Sequence, residues 1–271
     1  MPVHPTAIVE EGSQVASDAI VGPWCRVSSK AVIASGAELK SNVIVEGRTE
    51  IGPRTVIYPF AVIGGPPQHL GYRGEDTALK IGADCVIREH STANLGTPAG
   101  RGRTVIGDRC YLMTGAHVAH DCIVGAGVIF ANNATLGGHV VVEEGVFLGG
   151  LCAIHQNCRI GAYAFIGGCA AVTTDVIPYG SATGNHAVLA SLNIVGMKRR
   201  GMPRAAIHDL RGVYRTLFSD EGSFQERIDA AAARYAHSKE AMRVIQFIRE
   251  DTRRPLMAPP RKSWRVGENS E

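Results

Sequence analysis

Aromatic side chains are scarce, 6% of 271 residues, so a large aromatic-rich core is excluded and burial must rest on small and β-branched side chains. No apolar run approaches the roughly 20 residues that span a bilayer. The start, "MPVHPTAIVEEG", has no basic stretch leading into an apolar one. Neither a secretory leader nor stable membrane insertion is expected, and the chain reads as cytoplasmic. Cysteine is present seven times, an odd number without a CxxC pair, which excludes the disulfide framework of a small secreted protein.

What the sequence has instead is a period of six. From Val9 every sixth residue is aliphatic: Val9, Val15, Val21, Val27, Ile33, Leu39, Val45, Ile51, Ile57 and Ile63. The register breaks through "GGPPQHLGYRGEDTALK", returns at Ile81 and Ile87, and breaks again at "NLGTPAGRGR". It then runs from Ile106 to Val172. A helix of 3.6 residues per turn would scatter these side chains over every face, whereas short strands separated by turns keep each one inward. Glycine follows many of the aliphatic residues, as at Gly52, Gly125 and Gly161, marking tight corners.

The pattern predicts a mainly β protein, a parallel β-helix in which three hexapeptides form a triangular coil of eighteen residues. The β-helix is expected over residues 1–188, with loops leaving it near 64–80 and 94–104. Six of the seven cysteines, Cys25, Cys85, Cys110, Cys122, Cys152 and Cys158, stand two residues before the aliphatic position. They are read as small buried packing residues, not nucleophiles.

After Pro178 the period stops. A small helical domain is expected over 189–255, with "VLASLNIVGMKRRG", "PRAAIHDLRGVYRTLF", "SFQERIDAAAARYA" and "SKEAMRVIQFIRED" as its helices; residues 256–271 are expected to be a mobile tail. In the second of these, Ile207, Leu210, Tyr214 and Leu217 share a face. Residues 198–271 carry 16 Lys+Arg against 10 Asp+Glu, and residues 1–197 carry 12 against 15. The basic helical end suits an acidic protein partner. Overall net charge is only +3 and no basic patch is interleaved with aromatics, so nucleic acid is not expected.

The chemistry concentrates in "TGAHVAHDCIVG". Eighteen residues on from His120 stands Gly138, and eighteen further Gln156; the same step carries Asp121 to His139 and Asn157. One corner of successive coils therefore carries a polar stripe, with His117 and His155 beside it. Three readings meet there. The histidines are solvated corner residues, or zinc ligands as in β-helical carbonic anhydrases, or acid/base groups. In the last, His120 is a general base oriented by Asp121, and a backbone N–H at Gly138 meets a developing oxyanion. A single prism corner is shallow, so a cleft requires a facing subunit; three flat faces suit a homotrimer.

The motifs "HPTAIVEEG", "AHVAHDC", "NNATLGGHV", "AIHQNCRIGA", "GGCAAV", "GNHA" and "NIVGMKRRG", in this order, resemble the UDP-N-acetylglucosamine O-acyltransferase family of lipid A biosynthesis. The resemblance covers roughly residues 3–250. It implies a homotrimer of left-handed β-helices that moves an (R)-3-hydroxyacyl chain from acyl carrier protein to the glucosamine 3-position. No metal or resident cofactor is implied, the 4′-phosphopantetheine being carried by the donor.

By motif, the resemblance assigns the base to His120, its partner to Asp121 and the oxyanion N–H to Gly138. His117, His139, His155 and Gln156 would contact the sugar or the acyl and pantetheine portions, and Asn193, Arg199 and Arg200 the uridine diphosphate. Gly168 would end the acyl groove, with room for a longer chain. Arg204, Arg211 and Arg215, on the helix after the prism, are expected to dock the carrier protein. His69, Gly71, Asn94 and Val195 depart from the family's pattern of Asp, Lys, His and Glu. Because three of the four would lie near the sugar, an alternative acceptor is the 3-amino analogue, giving an amide, or another nucleotide sugar.

Overall fold

The structure is a computed structural model that describes residues 3–250 and 253–260. The chain winds as a left-handed parallel β-helix, one short strand per hexapeptide. Three sheets of nine, eight and ten strands, parallel except for the last strand of the ten, form the faces of a triangular prism. Successive coils pair at the eighteen-residue step: Val118 opposes Leu136, which opposes Ile154, which opposes Val172. The two breaks in the period are loops leaving the coil, between Val62–Gly65 and Ala78–Ile81, and between Thr92–Asn94 and Arg103–Ile106.

The inward ladder of aliphatic residues, with Phe130 its one fully buried large aromatic side chain, fills the prism. At the corners one residue per turn takes a left-handed backbone, including the non-glycine residues Asp121 (φ 60°), His139 (φ 63°) and Asn157 (φ 65°). Such conformations are costly for side-chain-bearing residues except Asn and Asp, and the coil stack compensates by hydrogen-bonding each corner to the next. The N–H of His139 donates to the carbonyl of His120 at 3.0 Å, and that of Asn157 to the carbonyl of Gly138 at 3.0 Å. Cys25, Cys85, Cys110, Cys122, Cys152 and Cys158 are all buried free thiols; burial pushes Cys122, Cys152 and Cys158 up to about 12. Cys169 is exposed.

The chain leaves the prism differently from the sequence expectation. Val188–Leu192, expected as helix, is a strand that pairs antiparallel with Gly180–Thr183 at the end of the ten-stranded sheet. The open sheet edge supplies backbone partners that override the segment's helical look. Four helices follow: α1 (Ile194–Arg199), α2 (Arg204–Leu217), α3 (Phe224–Arg234) and α4 (Lys239–Arg249). Ile207, Leu210 and Leu217 are buried on α2, and Tyr214 is half-buried beside them. The turn before α3 is fixed by a capping box of Ser223 and Glu226.

The expected tail also begins in contact. The N–H of Asp175 donates to Pro255 at 2.9 Å, that of Met257 to Asp175 at 2.7 Å and that of Leu189 to Ala258 at 3.1 Å, while the Met257 side chain is buried. Residues up to Ala258 are thus strapped to the end of the prism, because an apolar side chain and three backbone bonds find partners there. Residues 261–271 lie outside the described residues. Among those described, no helix is long and apolar enough to cross a membrane.

Candidate active site

The polar stripe occupies the corner between the nine-stranded and eight-stranded faces. His120 follows the strand His117–Val118 and sits one coil before His139, its ring edge-on to that of His139 with centroids 5.0 Å apart. Nδ1 of His120 lies 2.9 Å from Oδ2 of Asp121. Asp121 is fully buried, and a bare carboxylate there would be costly. The second loop supplies the compensation. The amide of Thr97 donates to both carboxylate oxygens at 3.1 Å, its hydroxyl to Oδ2 at 2.6 Å, and the amide of Arg101 to Oδ1 at 2.7 Å. The Arg101 guanidinium reaches the Asp121 carbonyl, and the Asp121 amide donates to the Thr104 hydroxyl at 2.8 Å.

Burial by itself would raise the Asp121 pKa, but the bonds from Thr97, His120 and the loop amides outweigh it and hold the carboxyl below its ordinary value. An ionised Asp121 accepting at Nδ1 fixes His120 as the Nδ1–H tautomer and leaves Nε2 with its lone pair. Burial lowers the pKa of His117, with His120 adding to the effect. Burial likewise lowers that of His139; Asp121 opposes it, while His120, Arg101 and Arg253 reinforce it. Both imidazoles are therefore held towards the neutral form.

Glycine is required twice in this corner. A Cβ on Gly138 would stand 2.6 Å from Cε1 of His120, and one on Gly100 would overlap the Asp121 carboxylate. The Gly138 amide makes no hydrogen bond among the described residues. His117 shares a 2.7 Å contact through Nδ1 with the Thr92 hydroxyl. His69, at the tip of the first loop, packs its ring edge-on to His120 at 5.5 Å between centroids. Asn94 is buried and spends its amide N–H groups on the carbonyls of Gly65 and Pro66 at 3.4 and 3.1 Å, tying down the base of that loop. His155 and Gln156 complete the stripe two coils beyond His120 and are exposed.

The remaining candidates lie elsewhere on the chain. Asn193 caps α1, accepting from the Gly196 amide at 3.0 Å and donating to the Tyr163 carbonyl at 3.0 Å. With Arg199, Arg200 and Val195 it lines a cavity of about 790 Å³ floored by Ile129 and the stacked rings of Phe147 and Phe165. Arg200 lies over the Tyr163 ring at 4.8 Å and donates to the Gly145 carbonyl at 2.5 Å. This cavity opens over the ten-stranded face, away from the histidine corner. Gly168 is at the third kind of corner, between the ten- and nine-stranded faces, stacked one coil beyond Gly150 and open to solvent. Arg204, Arg211 and Arg215 are exposed on α2, with no ion-pair partner among the described residues.

The ligand atoms of His120, Asp121 and His139 lie within 4.8 Å of one another, close enough for a cation. Both Asp121 oxygens, however, are already directed at N–H and O–H donors, an arrangement that favours holding an imidazole over binding a metal. Thr97, Thr104, Arg101 and the C-terminal Arg253 and Arg254 were not legible as site residues. The glycines of "GTPAGRGR" were the only local hint.

Similarity to known proteins agrees with this geometry. Residues 175–257 match the family model described as UDP N-acetylglucosamine O-acyltransferase, domain 2, and residues 103–138 the bacterial transferase hexapeptide model. The chain is 53% identical over 262 residues to the acyl-[acyl-carrier-protein]–UDP-N-acetylglucosamine O-acyltransferase of Caulobacter vibrioides, covering 97% of this chain and 100% of that one. Against the enzyme of the same name from Rhizobium johnstonii identity is 46% over 259 residues, 96% of this chain and 95% of the other. The solved UDP-N-acetylglucosamine O-acyltransferase of Moraxella catarrhalis superimposes with a TM-score of 0.91 at 38% identity, covering 95% of this chain and 100% of that one. On this identity and coverage, carried through both prism and helices, the chain belongs to the acyl-[acyl-carrier-protein]–UDP-N-acetylglucosamine O-acyltransferase family.

Proposed function

We propose that this chain transfers an (R)-3-hydroxyacyl group from acyl carrier protein to the 3-hydroxyl of UDP-N-acetylglucosamine, with His120 as general base. The observation that carries the assignment is the 2.9 Å contact of His120 Nδ1 with the buried, ionised Asp121, which leaves Nε2 free to take a proton. As the sugar oxygen attacks the thioester carbonyl, its proton passes to Nε2 and the imidazolium is stabilised by Asp121. The tetrahedral intermediate collapses by expelling the pantetheine thiolate, which recovers the proton from His120. The unengaged Gly138 amide is the candidate donor to the oxyanion. The reaction as read uses no metal and no resident cofactor.

The histidine stripe and the Asn193, Arg199 and Arg200 cavity lie on different faces of one prism. A homotrimer would complete the site by setting the stripe of one subunit against the nucleotide-binding cavity of the next. Trp24, Phe60 and Leu151, exposed along one corner, are apolar surface such an assembly would cover. Between the histidine corner and Gly168, the nine-stranded face presents Thr135, Ala153 and Ala171 outward, small side chains that suit an acyl groove. The exposed Arg204, Arg211 and Arg215 suit an acidic carrier protein, and we place the reaction in the cytoplasm.

A second reading changes only the acceptor atom. The loop tip over His120 presents His69 and Gly71 where the family pattern has an aspartate and a lysine, which accommodates a 3-amino sugar. Both acceptors are tested by offering the purified protein (R)-3-hydroxyacyl carrier proteins with UDP-N-acetylglucosamine and its 3-amino analogue, and weighing the products. An ester supports the hydroxyl acceptor, an amide alone supports the amine, and no product with either refutes the assignment.

A further inference from the structure

His155 stands at the same corner as His120 but its Nδ1 is wired in the opposite sense. Nη2 of Arg254 lies 2.6 Å from Nδ1 of His155, while Nε of Arg254 donates to the Gln156 carbonyl at 3.0 Å. A guanidinium donates and never accepts, so at this separation Nδ1 must offer its lone pair. The Gln156 carbonyl is also 3.3 Å from the same nitrogen and would prefer an Nδ1–H. The shorter contact to a charged donor decides, and that carbonyl already accepts from Arg254.

Arg254 is not placed there by its neighbours in sequence, since 99 residues separate it from His155. It is delivered by the strap described above. Pro255 and Met257 bracket the Asp175 backbone, Ala258 bonds Leu189, and the buried Met257 side chain anchors the segment. Asp175 is itself held by the Arg159 guanidinium at 2.8 Å. On the same strap Arg253 reaches the Asn157 side chain at 3.3 Å.

We propose that Arg254 is a positioning residue that keeps the Nδ1 lone pair of His155 engaged and its proton on Nε2, so that His155 donates a hydrogen bond to an amide carbonyl oxygen of the incoming pantetheine arm. The stripe then carries two imidazoles of opposite polarity: His120 presents an acceptor at Nε2 and His155 a donor. His155 lies two coils nearer the helical end, roughly 10 Å at the 4.8 Å strand spacing. A donor arm descending from α2 towards His120 would pass it. This recipient rests on the acyl-transfer assignment; the tautomer does not.

The test combines a spectrum with kinetics on the full-length protein. In ¹⁵N-histidine-labelled enzyme, with the His155 signals assigned by His155→Gln, an unprotonated Nδ1 and protonated Nε2 are expected. Arg254→Ala should abolish that preference, and Arg254→Lys should restore part of it. Arg254→Ala should raise KM for the acyl carrier protein about tenfold, the usual weight of one hydrogen bond, with kcat and KM for the UDP-sugar little changed. Combined with His155→Gln it should add nothing further. An Nδ1–H signal in the wild type, or a spectrum and KM indifferent to Arg254→Ala, would overturn the proposal. A rise in KM for the UDP-sugar instead would overturn the assigned recipient. If His120→Ala stayed fully active, the general-base assignment would fail while the spectra still decided the tautomer.

Discussion

The hydroxyl of Thr97 donates to Oδ2 of Asp121 at 2.6 Å, on the same oxygen that faces Nδ1 of His120 at 2.9 Å. A loop that interrupts the hexapeptide period thus finishes the site. Removing the hydroxyl as Thr97→Val should lower kcat about tenfold, one neutral-to-charged hydrogen bond being worth roughly 1.5 kcal/mol, with the fold intact by circular dichroism. Asp121→Asn should cost more, about 10² to 10⁴ in kcat, because the amide no longer fixes the tautomer or stabilises the imidazolium. Steady-state transfer assays of both variants read the difference, and an Asp121→Asn enzyme as active as the wild type would remove His120 from the role of base.

Gly138→Ala should abolish most transfer while leaving the prism folded. The added Cβ would meet the His120 ring at 2.6 Å, so the ring must turn away from Asp121 or the coil must shift. A crystal structure of the variant should show His120 displaced; wild-type kinetics with an undisplaced ring would contradict the geometry.

Stability should fall as the solution is made acidic, in two stages. His117 has its folded pKa below the ordinary 6.5 through burial. Unfolding therefore takes up protons below about 6.5, and the stability present above that value is lost as pH falls towards the folded pKa. Asp121, held below 3.8 in the folded state, adds a second loss as pH drops below that value through its folded pKa. Denaturation midpoints measured from about pH 8 to about pH 5 should slope downward in the wild type. The slope should be shallower in His117→Gln, with His139 accounting for the remainder. Parallel slopes would show that His117 is not the group being charged.

Charge reversal at Arg211 and Arg215 together should raise KM for the acyl carrier protein and steepen nothing else. A short pantetheine thioester should react as before, and added salt should narrow the difference between variant and wild type, because exposed charges act through a screened field. Equal losses on both donors would place these arginines in folding instead of docking.

The distribution of legible and illegible features follows from the range of each interaction. The aliphatic period, the small residues before each aliphatic position and the eighteen-residue offset linking His120, Gly138 and Gln156 are local regularities, and each has its counterpart in the stacked coils. The segment "VLASL" looks helical in sequence because its strand pairing depends on a free edge at the end of the ten-stranded sheet, which no window of sequence contains. The loop "NLGTPAGRGR" looked like an interruption, yet its amides and hydroxyls neutralise the desolvation of Asp121. Gly100 was the sole trace of that close approach.

The sequence by itself determined the prism, because a six-residue aliphatic repeat can bury its side chains only by coiling, and coiling dictates which residues stack. It also determined that His120 and Asp121 share a corner with His139. The tertiary structure alone decided the protonation pattern of that corner. Thr97 and Arg101 arrive from a loop, and Arg254 from a strap at the far end of the chain, so their effect on an imidazole depends on a donor–acceptor separation of under 3 Å. Proton placement is set at that distance, and only the folded chain brings such groups within it.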